Sequence, residues 1–266
     1  MDLQLQGQHA LITGGSKGIG LACARLFLLE GASVTLVSRD AKNLGSARDK
    51  LVGAMPDSAT RVRTLSADLQ DPDSAKSMVT RAEQEGGPVS ILVNCAGAAR
   101  RTPAAELGPQ AWHDAMQAKY FTYIHVIDPL IKLMAQRGRG AIVNVVGMGG
   151  KVASPTHLAG GSANAALMLA SAGLANAYAR QGVRVNVVNP GLTLTERLQE
   201  GLQAEARMQQ ISTEEALRLA NERLPLGRIA EPEEIANAVV FLASPKASYI
   251  NGAVISMDGG VTPMVV

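Results

Sequence analysis

Aromatic residues and cysteine are scarce in this 266-residue sequence, which has three Phe, four Tyr, one Trp and two Cys. So few rings for base stacking, with a formal net charge of +2 that forms no basic block, disfavour nucleic acid as a partner. Cys23 and Cys95 are distant in sequence and lie in helix-like and strand-like contexts. We therefore expect reduced thiols in a reducing compartment, and neither a disulfide framework nor a bound metal.

Targeting and membrane signals are also missing from the sequence. The segment MDLQLQGQHAL has no basic leader before an apolar run, and we expect no stretch to approach the roughly 18 uncharged residues of a membrane span. A cytoplasmic, soluble protein without membrane contact is predicted. Because 47% of the residues are hydrophobic and no linker rich in Pro, Gly or Ser divides them, residues 1–266 are expected to form one domain.

Short apolar runs alternate with longer segments of helical periodicity. Their pattern predicts an α/β fold of the Rossmann type, a doubly wound, seven-stranded and mainly parallel sheet with helices on both faces. In such a sheet ligands bind beyond the carboxyl ends of the strands. The seven predicted strands are HALIT (9–13), SVTLVS (33–38), VRTLSA (62–67), SILVNCAG (90–97), AIVNVV (141–146), VRVNVVNP (183–190) and AVISMDGG (253–260).

A glycine-rich turn, TGGSKGIG at 13–20, joins the first predicted strand to the helical segment GIGLACARLFLLEG. Its backbone N–H groups and the positive helix end could face a pyrophosphate, although a tight strand-to-helix turn without a ligand is the alternative. The pattern of a P-loop does not match, because Lys17 precedes the last two glycines of the turn.

The second predicted strand ends in LVSRD, where an NAD-binding fold usually places an acid against the ribose. Here Ser38 and Arg39 occupy that place, and an Arg can pair with a 2′-phosphate. With Lys17 as a second cation, the sequence favours NADP(H) over NAD(H), unless both cations are solvated surface charges. Asp40 could cap the following helix rather than contact a ribose.

Several ordered motifs resemble the short-chain dehydrogenase/reductase family nearly end to end, with similarity to members that act as 3-oxoacyl-carrier-protein reductases. The motifs are TGGSKGIG, ADL (67–69), NCAG (94–97), PGLTLT (190–195), LGRIAEPEEIANAVVFLAS and SYINGAVISMDGG. The resemblance implies a homotetramer or dimer built through the long helices of the second half and the last strand. It also implies cofactor contacts at Gly14, Ser16, Lys17, Gly18, Ile19, Gly20, Ser38, Arg39, Asp68, Leu69, Asn94, Ala96, Gly97, Pro190, Gly191, Thr193 and Thr195.

The catalytic tetrad of that family is replaced at all four positions. Counting from Trp112 and from GAIVNVV puts Lys119 at the Asn position, Gly147 at the Ser position, Gly160 at the Tyr position and Asn164 at the Lys position. The resemblance implies that the lost groups would have moved the carbonyl proton and held the nicotinamide ribose. Ordinary carbonyl reduction is therefore expected to suffer by roughly 100- to 10,000-fold unless other groups serve.

Two residues are candidates for the missing functions. Lys119 could return a positive charge to the ribose from a different helix, or it could extend to the surface or to a subunit interface. His157 is the nearest titratable group and could supply the proton, or it could be an ordinary solvated histidine. We expect the helix that carries it to start at Ser154–Pro155, with Ser154 as its cap, and to run to about Gln181.

Small residues surround the same predicted pocket, namely Gly147, Gly149, Gly160 and Asn164. They could leave room for a bulky substrate, admit another chain, or allow tight helix packing. Residues 192–224 resemble the family's substrate lid. Its apolar side favours a hydrophobic substrate, although a surface helix pair would look the same. That side comprises Leu202, Ala206, Met208, Ile211, Ala216 and Leu217.

The sequence thus predicts an NADP-dependent oxidoreductase with an atypical active site, acting on a small molecule that carries a hydroxyl, a carbonyl or a conjugated carbonyl. A silent NADP(H)-binding regulatory or scaffold subunit is the first alternative, because all four tetrad positions have changed. A lyase or dehydratase built on the same scaffold is the second.

Overall fold

The computed structural model describes residues 1–97 and 99–263, except for the side chains of residues 197, 200, 204, 205 and 208. Seven strands form one parallel sheet in the order β3-β2-β1-β4-β5-β6-β7, which confirms the predicted topology. Its strands are β1 (His9–Thr13), β2 (Ser33–Ser38), β3 (Val62–Ser66), β4 (Ile91–Asn94), β5 (Gly140–Val145), β6 (Val183–Pro190) and β7 (Val254–Met257).

Helices connect the strands and cover both faces of the sheet. A π-helical turn, Met116–Phe121, joins α4 to α5, so that the three segments follow one another without a break. The described helices are α1 (Gly18–Leu29), α2 (Ala41–Ala54), α3 (Pro72–Gly86), α4 (Pro109–Ala115), α5 (Thr122–Gln136), α6 (Leu158–Tyr178), α7 (Glu196–Gln209), α8 (Thr213–Glu222) and α9 (Pro232–Ala243).

The sheet separates two hydrophobic cores. Ile12 and Val93 belong to the core on the side of α1 and α9, whereas Leu11 and Leu92 belong to the core on the side of α3 and α5. Successive residues of a strand point to opposite faces, and here both faces are covered. This is why the strands read as continuous apolar runs in the sequence.

Two helix starts decide between predictions made from the sequence. Asp40 caps α2 by accepting hydrogen bonds from Lys42 N and Asn43 N, and these bonds lower the pKa of its carboxyl. The prediction that α6 starts at Ser154–Pro155 is wrong, because the helix begins at Leu158. The Ser154 hydroxyl pairs with that of Thr156 and is therefore unavailable as a cap.

Helix α6 also corrects the expectation that no segment is apolar enough for a membrane span. Residues 152–179 contain no Asp, Glu, Lys or Arg. The helix from Leu158 to Gln181 is long and apolar enough to cross a membrane by length and composition alone. In the fold it packs along β6, with Ala163, Leu167 and Ala175 buried.

A chain of polar side chains crosses the middle of the sheet at the carboxyl ends of its strands. Thr13 Oγ1 donates to Asn94 Oδ1 at 3.1 Å, and Asn94 Nδ2 donates to Asn144 Oδ1 at 2.9 Å. Asn144 Nδ2 then donates to Ser171 Oγ on α6 at 2.9 Å. All four residues are almost fully buried, so each side chain exchanges its water for a protein partner.

Candidate active site

Two cavities open side by side at the carboxyl edge of the sheet, where the predicted site residues meet. The first, of about 430 Å³, lies beside the ends of β2 and β3, and its lining includes Gly14, Ser38, Arg39, Asp68, Leu69, Cys95, Ala96 and Gly97. The second, of about 750 Å³, lies beyond β5 and β6, and its lining includes Ile19, Lys119, Gly147, His157, Gly160, Asn164, Pro190, Gly191, Thr193 and Thr195.

The glycine-rich turn has a backbone that only glycine fits. Gly14 has φ +66°, and a Cβ there would lie 2.9 Å from Ala96 N. A Cβ at Gly20 would lie 2.9 Å from the carbonyl carbon of Gly14. No side chain caps the start of α1, and its first turn contains no acidic residue. The turn is therefore a cradle of backbone N–H groups suited to an anion such as a pyrophosphate.

The cations predicted to share one edge of the cofactor have different surroundings. Arg39 lines the smaller cavity together with Ser38 and Asp40. Lys17 forms an ion pair with Glu196 at the start of α7, with 2.8 Å between Nζ and Oε2. This hydrogen bond lowers the pKa of Glu196. Lys17 thus contacts the start of α7, whereas Arg39 lies at the smaller cavity.

The NCAG segment at the end of β4 has residues buried within the sheet and residues that line the smaller cavity. The Asn94 side chain is fully buried in the polar chain within the sheet, and its role as a cofactor contact stays a prediction. Ala96 and Gly97 do line the smaller cavity. Gly97 has φ +85°, and a Cβ there would lie 2.9 Å from Thr122 Oγ1, so the loop passes close to the long helix.

The two cysteines are neighbours in the fold, although they are distant in the sequence. A hydrogen bond to the Cys95 thiol, together with burial, raises the pKa of the Cys23 thiol well above its usual value. Cys95 also lines the smaller cavity. Both thiols are free, as the sequence predicts.

The segment after β6 closes the larger cavity from the side. Gly191 N donates to Met257 O at 3.0 Å, which ties the segment to the end of β7. Thr195 caps α7 and lies against the glycine-rich turn, because a Cβ at Gly18 would be 3.0 Å from Thr195 Cγ2. Pro190, Gly191, Thr193 and Thr195 therefore lie together beside the turn, as predicted.

Lys119 lies in the π-helical turn with its side chain directed inward. It is 8% exposed, and its Nζ donates to Tyr123 Oη at 2.7 Å and to Val145 O at 3.3 Å. Burial raises the pKa of Tyr123 well above its usual value, so this phenol stays protonated and donates to Val145 O at 2.7 Å. The alternative that Lys119 extends to the surface is wrong, since the ammonium group lies at the end of β5 and lines the larger cavity.

His157 fills the space that a side chain at Gly160 would need. A Cβ at Gly160 would lie 2.6 Å from His157 Nε2, and a Cβ at Gly149 would lie 3.0 Å from its Cδ2. A Cβ at Gly161 would lie 2.5 Å from Gly149 O, so the turn at 148–150 packs directly on α6. The glycines at 149, 160 and 161 therefore allow close packing around an imidazole, and Gly160 also lines the larger cavity, so extra room for a substrate stays a prediction.

Gly147 is the exception among these glycines. A Cβ there would meet only Asn164 Nδ2, at an ordinary 3.5 Å, so this position, predicted to be that of the family's Ser, faces open cavity. Asn164 is 5% exposed, and its Nδ2 donates to Gly147 O at 3.3 Å. Its Oδ1 is buried without a hydrogen-bond partner among the described residues. A ligand hydroxyl or amide is the kind of donor that this oxygen lacks.

Comparison with known proteins identifies the family. Residues 14–262 match the family model described as enoyl-(acyl carrier protein) reductase. The chain belongs to the short-chain dehydrogenase/reductase family. It is 33% identical to gluconate 5-dehydrogenase from Gluconobacter oxydans (strain 621H) over 258 residues, which cover 97% of this chain and 96% of the relative.

Two solved structures are similar over almost the whole length. L-sorbose reductase from Gluconobacter frateurii, complexed with NADPH and L-sorbose, has a TM-score of 0.93 and 31% identity, and 100% of each chain is covered. An NADPH-bound short chain oxidoreductase from Pseudomonas aeruginosa PAO1, described as containing an atypical catalytic center, has a TM-score of 0.88 and 31% identity. There 98% of this chain and 100% of the other are covered.

In this short-chain dehydrogenase/reductase the segment predicted to be the lid contains a pair of helices, α7 and α8, that pack on each other. Leu202, Ala206 and Ala216 form a small core between the two helices, with Ile211 and Leu217 partly buried against it. Much of the predicted apolar side therefore holds the pair together, as in the surface-helix alternative. The Met208 side chain lies outside the described residues. The apolar wall that the lid gives to the cavity consists of Leu198, Leu202, Ala220 and Leu224.

Sequence reasoning missed three residues of this site. Tyr123 follows Lys119 by four positions in a helix, a spacing that brings side chains together and could have indicated the pair. Arg101 and Arg223 both line the larger cavity. They come from distant segments, and no local pattern places them together.

Proposed function

We propose that the protein is an NADP(H)-dependent oxidoreductase that interconverts a hydroxyl and a carbonyl group in an atypical active site. One observation carries the proposal: the anion cradle, the Arg39 cavity and a larger cavity with Lys119 and His157 lie contiguously at the carboxyl edge of the sheet. Two structural relatives that hold NADPH support the choice of cofactor.

The residues present fit a dinucleotide phosphate. In the proposal the N–H groups of the cradle at 14–20 bind the pyrophosphate. Arg39 pairs with the 2′-phosphate, a group that a carboxylate in place of Arg39 would repel. Asp68 and Leu69, which line the smaller cavity, would hold the adenine, and Thr193 and Thr195, which line the larger one, would bind the carboxamide. When bound, the cofactor supplies the transferable hydride.

Lys119 holds the positive charge next to the nicotinamide ribose in this proposal. Its buried ammonium stands at the end of β5, and Asn164 lines the same cavity with an unsatisfied Oδ1. A charge and an acceptor are thus exchanged between two helices relative to the family pattern. The neutral Asn164 would accept a hydrogen bond from a ribose hydroxyl, which the family instead holds with an ammonium group.

His157 handles the proton in the same proposal. Its ring lies against Gly160, and it lines the larger cavity together with Gly147. An imidazole exchanges a proton near neutral pH, as the reduction of a carbonyl or the oxidation of an alcohol requires. A substrate oxygen in the Gly147 space would be its partner.

The absence of side chains at Gly147 and Gly160 favours a second candidate, an NADP(H)-binding subunit that performs no chemistry. Incubation with stereospecifically deuterated NADPH and a panel of aliphatic, cyclic and aromatic ketones separates the two. The oxidoreductase transfers deuterium to at least one product. Tight NADPH binding without deuterium transfer across the panel would favour the silent subunit.

We also propose a homo-oligomer in the cytoplasm. The outward side of α6 is apolar, with Leu169 77% exposed and Ala165, Ala172 and Gly173 exposed near it, and a second copy would bury this stripe. A reducing cytoplasm would keep Cys23 and Cys95 as thiols. Leu169→Glu is expected to shift the mass in light scattering toward the monomer, and an unchanged mass would contradict an interface at this position.

A further inference from the structure

The larger cavity has a lining of one charge sign. Among its described lining residues the fully charged side chains are Arg101, Lys119 and Arg223, and no carboxylate is present. Lys119 stands at the base, whereas Arg101 and Arg223 are exposed at the rim. The remaining wall is mostly apolar or glycine. A cavity with cations at the rim and an apolar wall suits a ligand that is apolar along its length and anionic at one end.

In the proposed function, the two arginines at the rim are not needed to bind the cofactor. The anionic groups of NADP(H) are assigned to the cradle at 14–20 and to Arg39, which border the smaller cavity and the turn. Arg101 and Arg223 border only the larger one. A second anion therefore has to be sought on the other ligand of the pocket.

Both arginines sit on anchored backbone. The loop that carries Arg101 is tied to the segment before α6 by the hydrogen bond from Thr102 N to Thr156 O, at 3.0 Å, next to His157. Arg223 ends α8, where Leu224 N donates to Asn221 O and Asn221 Oδ1 accepts from Ile229 N at 2.9 Å. Neither guanidinium forms an ion pair within the described part of the chain, so both are available to a ligand.

We propose that Arg101 and Arg223 bind a carboxylate at the far end of the substrate, so that the protein acts on oxo or hydroxy acids. This inference rests on the proposed function, because it concerns the substrate of that reaction. The carboxylate would lie at the rim, the carbon skeleton against Leu198, Leu202 and Leu224, and the reacting carbon near Gly147. A guanidinium recognises a carboxylate through paired, charge-assisted hydrogen bonds that an ester cannot accept equally well.

Matched acids and methyl esters test the proposal. The probes are 4-oxopentanoate, 4-oxocyclohexanecarboxylate and 4-acetylbenzoate, each with its methyl ester. Binding to the NADPH-loaded protein is measured by calorimetry and turnover by NADPH absorbance. At least one acid is expected to bind about tenfold or more tightly than its ester, since charge-assisted hydrogen bonds contribute about that much. The preference should shrink as NaCl is added, because rim charges are screened.

Variants assign the preference to the two arginines. Arg101→Gln and Arg223→Gln should each reduce a tenfold preference for the acid to about threefold, and the double variant should remove it, with ester binding and NADPH affinity unchanged. Arg100→Gln is the matched control, an exposed neighbour of Arg101 that is not part of the described cavity lining. It should keep the full preference.

Three results would overturn the proposal: esters that bind as well as their acids, a preference that survives in the double variant, or no binding of any acid to the NADPH-loaded protein. Failure of the proposed function looks different. In that case the acids bind with the arginine-dependent preference, yet no deuterium reaches any product.

Discussion

The packing of the 148–150 turn on α6 predicts opposite effects for two glycine-to-alanine substitutions. Gly45 lies within α2, and a Cβ there meets nothing within 4 Å. Gly161 lies within α6, and a Cβ there would be 2.5 Å from Gly149 O, a backbone atom. Both substitutions gain the same helix propensity, about 1 kcal/mol, so the difference between them isolates the packing effect.

The magnitude follows from these distances. Gly45→Ala should raise the free energy of unfolding by about 1 kcal/mol. Gly161→Ala gains as much but must push the turn away from the helix, and such overpacking costs about 1–3 kcal/mol. We therefore expect Gly161→Ala to be less stable than Gly45→Ala by about 1–3 kcal/mol. Because His157 contacts the same turn, turnover should fall in Gly161→Ala and remain normal in Gly45→Ala.

Urea unfolding followed by circular dichroism measures the difference, provided that the dependence on urea has the same slope in both variants. Equal stabilisation by the two substitutions would show that the turn does not pack on α6 as described. A loss of stability in Gly45→Ala would mean that its open surroundings are wrong.

Three further predictions concern single groups. Lys119→Met should weaken NADPH binding about 10- to 100-fold in a fluorescence titration, while Tyr123 still donates to Val145 O; an unchanged Kd would refute the role of Lys119. His157→Gln should lower kcat about 100-fold or more with NADPH affinity retained, and a normal kcat would exclude His157. Burial lowers the pKa of His9 from 6.5, so the unfolded chain gains its proton first. The free energy of unfolding should stay constant above pH 6.5 and decline below it, and the decline should be less steep in His9→Gln. If urea titrations show the same dependence on pH for both proteins, this prediction is contradicted.

Much of the fold could be predicted because the relevant signals are local. The β1 segment HALIT and the β6 segment VRVNVVNP are apolar runs bounded by turns, and the structure places both strands at the predicted residues. The start of α6 was misplaced because Ser154 and Thr156 bond to each other, and a sequence pattern does not distinguish a cap from such a pair.

The candidate site was harder to predict where it depends on distances between segments. The replacement of the tetrad is counted along the chain by resemblance and stays a prediction, whereas the structure does place Lys119 in the lining of the larger cavity. The sequence left several roles open for the glycines, because only the fold shows that His157 and the turn at 148–150 lie beside Gly149, Gly160 and Gly161. The resemblance assigns Asn94 to the cofactor, which stays a prediction, and only the fold shows that its side chain bonds to Thr13 and Asn144 on the two neighbouring strands.

The buried amide chain through Thr13, Asn94 and Asn144 has a consequence for how the sheet assembles. Parallel strands that are apolar on both faces could shift in register by two residues and still bury apolar side chains against each other. Such a shift would leave each buried amide next to an apolar side chain without a hydrogen-bond partner. Each unsatisfied amide would destabilise the fold by about 1–3 kcal/mol. Thr13 pairs with Asn94 and Asn94 with Asn144 at the final rung of their ladders. These hydrogen-bonded side chains therefore favour the native register of β1, β4 and β5 over a shifted one.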